Sequence, residues 1–205
     1  MYSVGEHTIR TLMNVRADKV LRLTMLLHDV AKPVCITTDE EGQDHFKKHP
    51  AVGADMAKQI LRRLKFDNKT IDCCCRLVNE HDDRPQITPK NVRRAMSRIG
   101  AGFFPMLFEV KRADMLGQSL YKRKEKMAYI DEFERVYNEI LSDDQCVSKK
   151  DMKINGRDLI DLGMEPGQKL GEILDKLYEM VLDDPELNDH EKLIEHANKI
   201  ISTLI

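Results

Sequence analysis

Apolar positions along this chain recur at three- and four-residue steps for most of its length, the spacing that gathers side chains on one face of a helix. Val4, Ile9, Leu12, Met13 and Val15 form the first such stripe. A second helix is predicted from residue 19 through Leu26 and Leu27, stopping before Pro33, whose ring cannot continue a helix interior. The polar run 37–43 reads as a turn. Pro50 suits the first turn of a helix reaching about residue 64, with Ala51, Ala54, Ala57, Ile60, Leu61 and Leu64 facing inward. Asp67-Asn68-Lys69 caps a helix over 70–79, and Thr88 or Pro89 opens another that ends near Gly100. Pro105 begins a helix that carries Asp114, and a long charged helix is predicted over 119–141.

The pattern changes after Asp143-Asp144. The stretch 154–160 reads as a cap followed by a short helix, Gly163-Met164-Glu165-Pro166-Gly167 as a turn, and 168–182 as an amphipathic helix. A boundary near residue 148 therefore divides the chain into a main domain, 1–148, and a small helical tail, 149–205. Aromatic residues are only 5% of the 205, and Trp is absent, which disfavours a sandwich of short strands. The expected fold class is all-α, a helical bundle with a helical C-terminal tail. No apolar run approaches the roughly 20 residues that span a bilayer, and no signal peptide is visible, so the expected setting is cytoplasmic without a membrane partner.

Charge is distributed unevenly. Residues 151–205 hold 6 Lys/Arg against 13 Asp/Glu, whereas 1–150 hold 27 against 22. Arg84, Lys90, Arg93, Arg94 and Arg98 follow one another with no acid between, and Lys122, Arg123, Lys124 and Lys126 are broken only by Glu125. Such stretches suit a phosphate backbone, and solvated helix faces produce them too. The five cysteines include the run Cys73-Cys74-Cys75 and contain no Cys-x-x-Cys pair, so they are read as free thiols rather than zinc ligands or a disulfide scaffold.

Six residues carry the candidate chemistry: His7, the adjacent His28-Asp29, His49, His81 and Asp114. Imidazole and carboxylate are the ligands of divalent first-row metals, and a carboxylate can bridge two ions where one imidazole cannot. His45 is more simply part of a loop or short strand, and His190 and His196 are expected at the surface. Asp82 and Asp83 could orient His81 or cap the next turn.

The series His7, Leu26-Leu27-His28-Asp29-Val30-Ala31-Lys32-Pro33, and Lys111-Arg112-Ala113-Asp114 resembles the HD superfamily of metal-dependent phosphohydrolases. The resemblance implies a helical HD domain in which His7, His28, Asp29 and Asp114 hold one divalent ion. His49 and His81 match the extended pattern of two-metal members, with Asp29 as the bridge, so one or two ions are implied, drawn from Mn, Ni, Co, Fe, Mg or Zn. It also makes Asp29 and Lys32 catalytic, Lys32 holding a substrate phosphate or the Asp itself. Arg84, Arg93, Arg94 and Arg112 are the expected phosphate- or RNA-binding cations.

A narrower resemblance reaches along nearly the whole chain. The 27–33 segment, Asp44-His45-Phe46 through His49, Leu61-Arg62-Arg63-Leu64-Lys65-Phe66, and Ile154-Asn155-Gly156-Arg157-Asp158-Leu159-Ile160 look like the C-terminal half of bacterial tRNA nucleotidyltransferases of the CCA-adding and poly(A) polymerase family. The Gly-rich strand-turn and Asp-x-Asp pair of that family's polymerase head are not found in these residues, so nucleotide addition by this chain alone is not expected. Two functions follow. One is hydrolysis of nucleotide or RNA-end phosphoesters, such as 2′,3′-cyclic phosphates, 2′-nucleotides or small phosphomonoesters. The other is a non-catalytic body that binds tRNA.

Overall fold

In the computed structural model, which describes residues 2–203, the chain is helical apart from one two-stranded hairpin. By contacts it divides into two compact units, the first comprising residues 1–85 and 102–134 and the second 86–101 and 135–205. The sequence boundary near residue 148 marks the change of composition. The contact division instead places 86–101 and 135–148 with the tail, because their apolar side chains need partners that sequence order does not reveal. No helix among the described residues is long and apolar enough to cross a membrane.

In the first unit, α1 (Val4–Leu12) starts at a capping box: Ser3 Oγ accepts from Glu6 N at 3.2 Å while Glu6 accepts from Ser3 N at 2.9 Å. α2 (Lys19–Leu27) is capped by Asp18, and the short α3 (Lys32–Cys35) follows. The segment read as a turn is a hairpin: β1 (Thr37–Thr38) pairs antiparallel with β2 (Asp44–His45). Asp39 accepts from the backbone of Glu41 and Gln43, and Gly42 takes the left-handed conformation, φ 78°, that the reversal requires. α4 (His49–Arg63) and α5 (Asn68–Glu80) pack on each other and on α2 through Leu27, Ala57, Leu61, Ile71, Cys74 and Val78.

α6 (Pro89–Ile99) belongs to the second unit and opens with Thr88 as its cap. α7 (Phe104–Gly117) returns to the first, where it packs against α1, α2 and α5. It meets α1 closely at Gly117, where an added methyl would stand 2.4 Å from Thr11 Cγ2 and 3.2 Å from His7 Nδ1. Only a glycine allows that approach, and the approach brings His7 to Asp114. α8 (Arg123–Ser142) is the long charged helix, and its Phe133 meets Phe104 and Phe108 edge to face at 5.7 and 5.4 Å.

The second unit is built on α9 (Gly156–Asp161), α10 (Gln168–Asp183) and α11 (His190–Ser202). Leu159, Ile173, Leu177, Val181, Leu193 and Ala197 form its core, and Asn155 caps α9 with the reciprocal partner Asp158. The cysteines are free thiols, and burial pushes Cys74 up to about 12, so it stays protonated and inert.

Candidate metal centre

Three helix ends and one helix face deliver four imidazoles to one buried place. His7 lies on the inner face of α1, His28 and Asp29 follow the last turn of α2, and His49 opens α4. His81 follows the last turn of α5, and Asp114 sits on the buried side of α7. All six side chains are buried. Putting ligands at helix ends has a local reason: there a backbone carbonyl is free to orient an imidazole. His28 Nδ1 donates to Met25 O at 2.7 Å, His49 Nδ1 to Phe46 O at 2.8 Å, and His81 Nδ1 to Val78 O at 2.6 Å. A carbonyl only accepts, so each Nδ1 carries the proton, and in the neutral ring Nε2 is left as a lone pair.

Those Nε2 atoms face one another. His7 and His28 approach at 3.1 Å and His49 and His81 at 3.2 Å, with Asp29 between the two pairs. Asp29 Oδ2 lies 3.3 Å from His28 Nε2 and 3.5 Å from His7 Nε2, while Oδ1 lies 3.4 Å from His49 Nε2 and 3.7 Å from His81 Nε2. Oδ1 is buried and has no hydrogen-bond partner. The facing lone pairs of His49 and His81 and an unsatisfied buried carboxylate oxygen are costly unless positive charge sits among them. The residues therefore fit divalent cations: one set comprises His7, His28 and Asp29, a second Asp29, His49 and His81, each with its ligand atoms within 4.8 Å of one another. Asp114 Oδ1, 2.9 Å from His7 Nε2 and 3.6 Å from His28 Nε2, joins the first.

Without metal, protons take that role. Burial alone would lower the His28 pKa, but hydrogen bonds to Asp114 and Asp29 outweigh it and push it up to about 9. Burial would raise both carboxylates, yet the surrounding imidazoles hold Asp29 and Asp114 well below the usual carboxylate range. Both stay ionised, as ligands must.

The expected cations divide by environment. Lys32 pairs with Asp29 Oδ2 at 2.6 Å and lines, with Arg84, a cleft of about 430 Å³ that opens on the cluster. Arg84 is exposed and touches Asp82 Oδ1 at 3.2 Å. Arg93 is buried: its guanidinium donates to Leu182 O, Asp183 O and Gln145 Oε1, closing the end of α10. That guanidinium has no reach to a phosphate, and the acid-free stretch around it in the sequence reflects a capping role. Arg94 is engaged by Asp183 and Glu179, and Arg112 by Asp131 and Glu134, so neither lines the cleft. His45 is held by Asp39 in the hairpin, outside both ligand sets, and His190 is exposed.

Two residues not singled out from the sequence support the centre. Lys111 is buried, and its ammonium donates to Glu80 O, His81 O and Asp83 O at 3.1, 3.0 and 2.6 Å. It thereby fixes the chain around His81. Burial lowers its pKa to about 8. Gln118 accepts from Lys126 Nζ at 2.6 Å, which turns its amide NH₂ toward Asp114 Oδ2 at 3.0 Å. Its position four residues after Asp114 is the one signal the sequence offers for that contact. Gln118→Leu is expected to weaken divalent-metal binding by about 10- to 100-fold with little change in melting temperature, read by competition with a chromogenic chelator. Unchanged affinity would show that Gln118 does not position Asp114.

The family model for tRNA nucleotidyltransferase domain 2 matches residues 50–197, a span that holds His81 and Asp114 and begins just after His49. An A-adding tRNA nucleotidyltransferase from Deinococcus radiodurans is 29% identical over 185 residues, covering 87% of this chain and 42% of that protein. A CC-adding tRNA nucleotidyltransferase from Thermus thermophilus is 28% identical over 180 residues, covering 85% and 40%. A CCA-adding enzyme from Ligilactobacillus salivarius is 47% identical over 55 residues, 26% of this chain and 14% of that one. The chain thus spans about two fifths of the length of the first two relatives. No solved structure gives a significant match.

Proposed function

The chain belongs to the tRNA nucleotidyltransferase domain 2 family, and from that premise we propose that its first unit is an HD-type phosphohydrolase centre acting on nucleotide or RNA-end phosphoesters. The observation that carries this reading is the pair of facing imidazole couples around the unpartnered oxygen of Asp29. His7, His28, Asp29 and Asp114 would hold one divalent ion, and Asp29, His49 and His81 a second. The chemistry such ions supply is acidification of water and Lewis-acid polarisation of a phosphoryl oxygen. The protein's own part is to keep Nε2 of His28, His49 and His81 free by binding Nδ1, to keep both carboxylates ionised, and to bury the ligand side chains at the inner end of the cleft. Lys32 holds Asp29 in place and presents its ammonium to the same cleft, and Arg84 stands at the rim, where charge develops on phosphoryl oxygens.

A metal-uptake and turnover assay tests the reading. The purified chain is expected to take up one or two ions and to hydrolyse 2′,3′-cyclic AMP or bis-p-nitrophenyl phosphate with Mn, Ni, Co or Mg. No uptake and no turnover would overturn it. A second reading is a body that holds tRNA without chemistry, favoured by the nucleotidyltransferase names of the relatives. Metal uptake without turnover, together with tRNA affinity that falls steeply with salt, would decide for it.

A further inference from the structure

A separate pocket in the first unit abuts the cluster from the side of α8. It has a volume of about 300 Å³, within the range of small-molecule sites, and His81 and Asp114 reach its inner end. The pocket is chemically graded along its length. Tyr129, Met115 and the buried Ile130 supply an apolar wall, while Arg84, Lys122 and Lys126 supply cations and Glu125 a carboxylate. Lys111 adds only its methylene stem, because its ammonium is spent on backbone carbonyls. The Tyr129 ring is held in position, since its hydroxyl donates to Pro85 O at 2.7 Å and Phe133 packs at 6.2 Å on one side.

A fixed phenol ring offers a stacking partner for a flat heterocycle, a carboxylate accepts from an exocyclic amine, and the cations Arg84, Lys122 and Lys126 suit a phosphate. A simple phosphate monoester would leave the apolar wall wet, and a purely apolar ligand would leave Glu125 and the three cations unused. We infer that this pocket is the nucleoside subsite of the centre: the base lies along Tyr129, and the sugar carries its phosphate toward His81 and Asp114. The substrate class is thereby a nucleoside phosphate, free or at an RNA end, rather than a small phosphoester lacking a base. The inference rests on reading the cluster as a phosphoester site, but its test does not require turnover.

Binding to the full chain is measured in EDTA, so that nothing is consumed, with adenosine 2′-phosphate and ribose 5-phosphate as probes. The nucleotide is expected to bind at least about tenfold more tightly, the difference being the stacked base. Tyr129→Leu removes that difference, and Arg84→Ala weakens both ligands alike. Because Tyr129→Leu also removes a core contact, a second measurement uses the unaltered chain: photolabelling with 8-azidoadenosine 2′-phosphate is expected to mark the segment 122–130. Equal binding of the two probes, or label confined to other segments, would overturn the assignment. An RNA oligonucleotide ending in adenosine 2′-phosphate that competes as well as the free nucleotide assigns the pocket to an RNA end, and weaker competition assigns it to the free nucleotide. Base discrimination in a chain that takes up no Mn²⁺ keeps the subsite and removes the hydrolase reading. Turnover without discrimination does the reverse.

Discussion

Replacing Asp29 by asparagine is expected to bring phosphoester turnover to background and to weaken divalent-metal binding by at least about 100-fold, while the helical circular dichroism persists. Asp29 is the one residue shared by both ligand sets, with its two oxygens turned to different imidazole pairs. Asparagine keeps the shape and loses the charge that offsets two cations. Its amide also brings a donor to atoms that need a metal or a proton. The other ligands cannot compensate, because His7, His28, His49 and His81 are neutral when they ligate, leaving Asp114 as the remaining anion near the first set. Single-turnover assays with 2′,3′-cyclic AMP and elemental analysis of the same sample separate the two losses. A variant that retains both metal and turnover would remove the cluster from the chemistry.

Saturation with Mn²⁺ is expected to raise the melting temperature by roughly 5–11 °C at one hundred times the dissociation constant. A ligand at that excess, binding only the folded state, stabilises by about 2.7 kcal/mol, and chains of this size gain about 2–4 °C per kcal/mol. The physical source is relief of the facing Nε2 lone pairs of His49 and His81 and of the unsatisfied Asp29 Oδ1, while at the other pair the metal-free protein protonates His28. The ion must displace that proton, so metal affinity rises as pH climbs toward about 9. Differential scanning fluorimetry across pH and Mn²⁺ concentration reads both effects. A melting temperature indifferent to Mn²⁺, Ni²⁺ and Co²⁺ would mean that the cluster is satisfied by protons alone. Asp29→Asn serves as the control that should not shift.

The helices were legible because their signals are local. Asp67 and Thr88 each cap a helix within three residues, and apolar spacing marks the buried faces of α4, α5 and α10. The hairpin was not legible. Its strands are two residues each, too short for alternation to register, and the turn residues dominate the segment. The partition into units was hidden for another reason: α6 lies between helices of the first unit in sequence, yet its apolar face and Arg93 belong with α10.

For the candidate site, metal chemistry restricts ligands to a few side chains, and the resemblance to HD phosphohydrolases nominated His7, His28, Asp29, His49, His81 and Asp114 among them. The supporting shell escaped notice. Lys111 and Gln118 act through a backbone carbonyl and a carboxylate set by the packing of α7 against α5 and α8, and nothing in their own sequence neighbourhood distinguishes a lysine that caps a helix from one that faces water. Sequence by itself therefore determined the helical class and the caps of α5 and α6, because these depend on bonds and periodicities a few residues long, while the ligand candidates came from a family resemblance. Tertiary structure alone decided that Asp29 serves two imidazole pairs, that Gly117 must be bare for His7 to reach Asp114, and that Arg93 is a cap while Arg84 borders the cleft. Each of those depends on distances between segments as many as 107 residues apart, where packing rather than local preference sets the geometry.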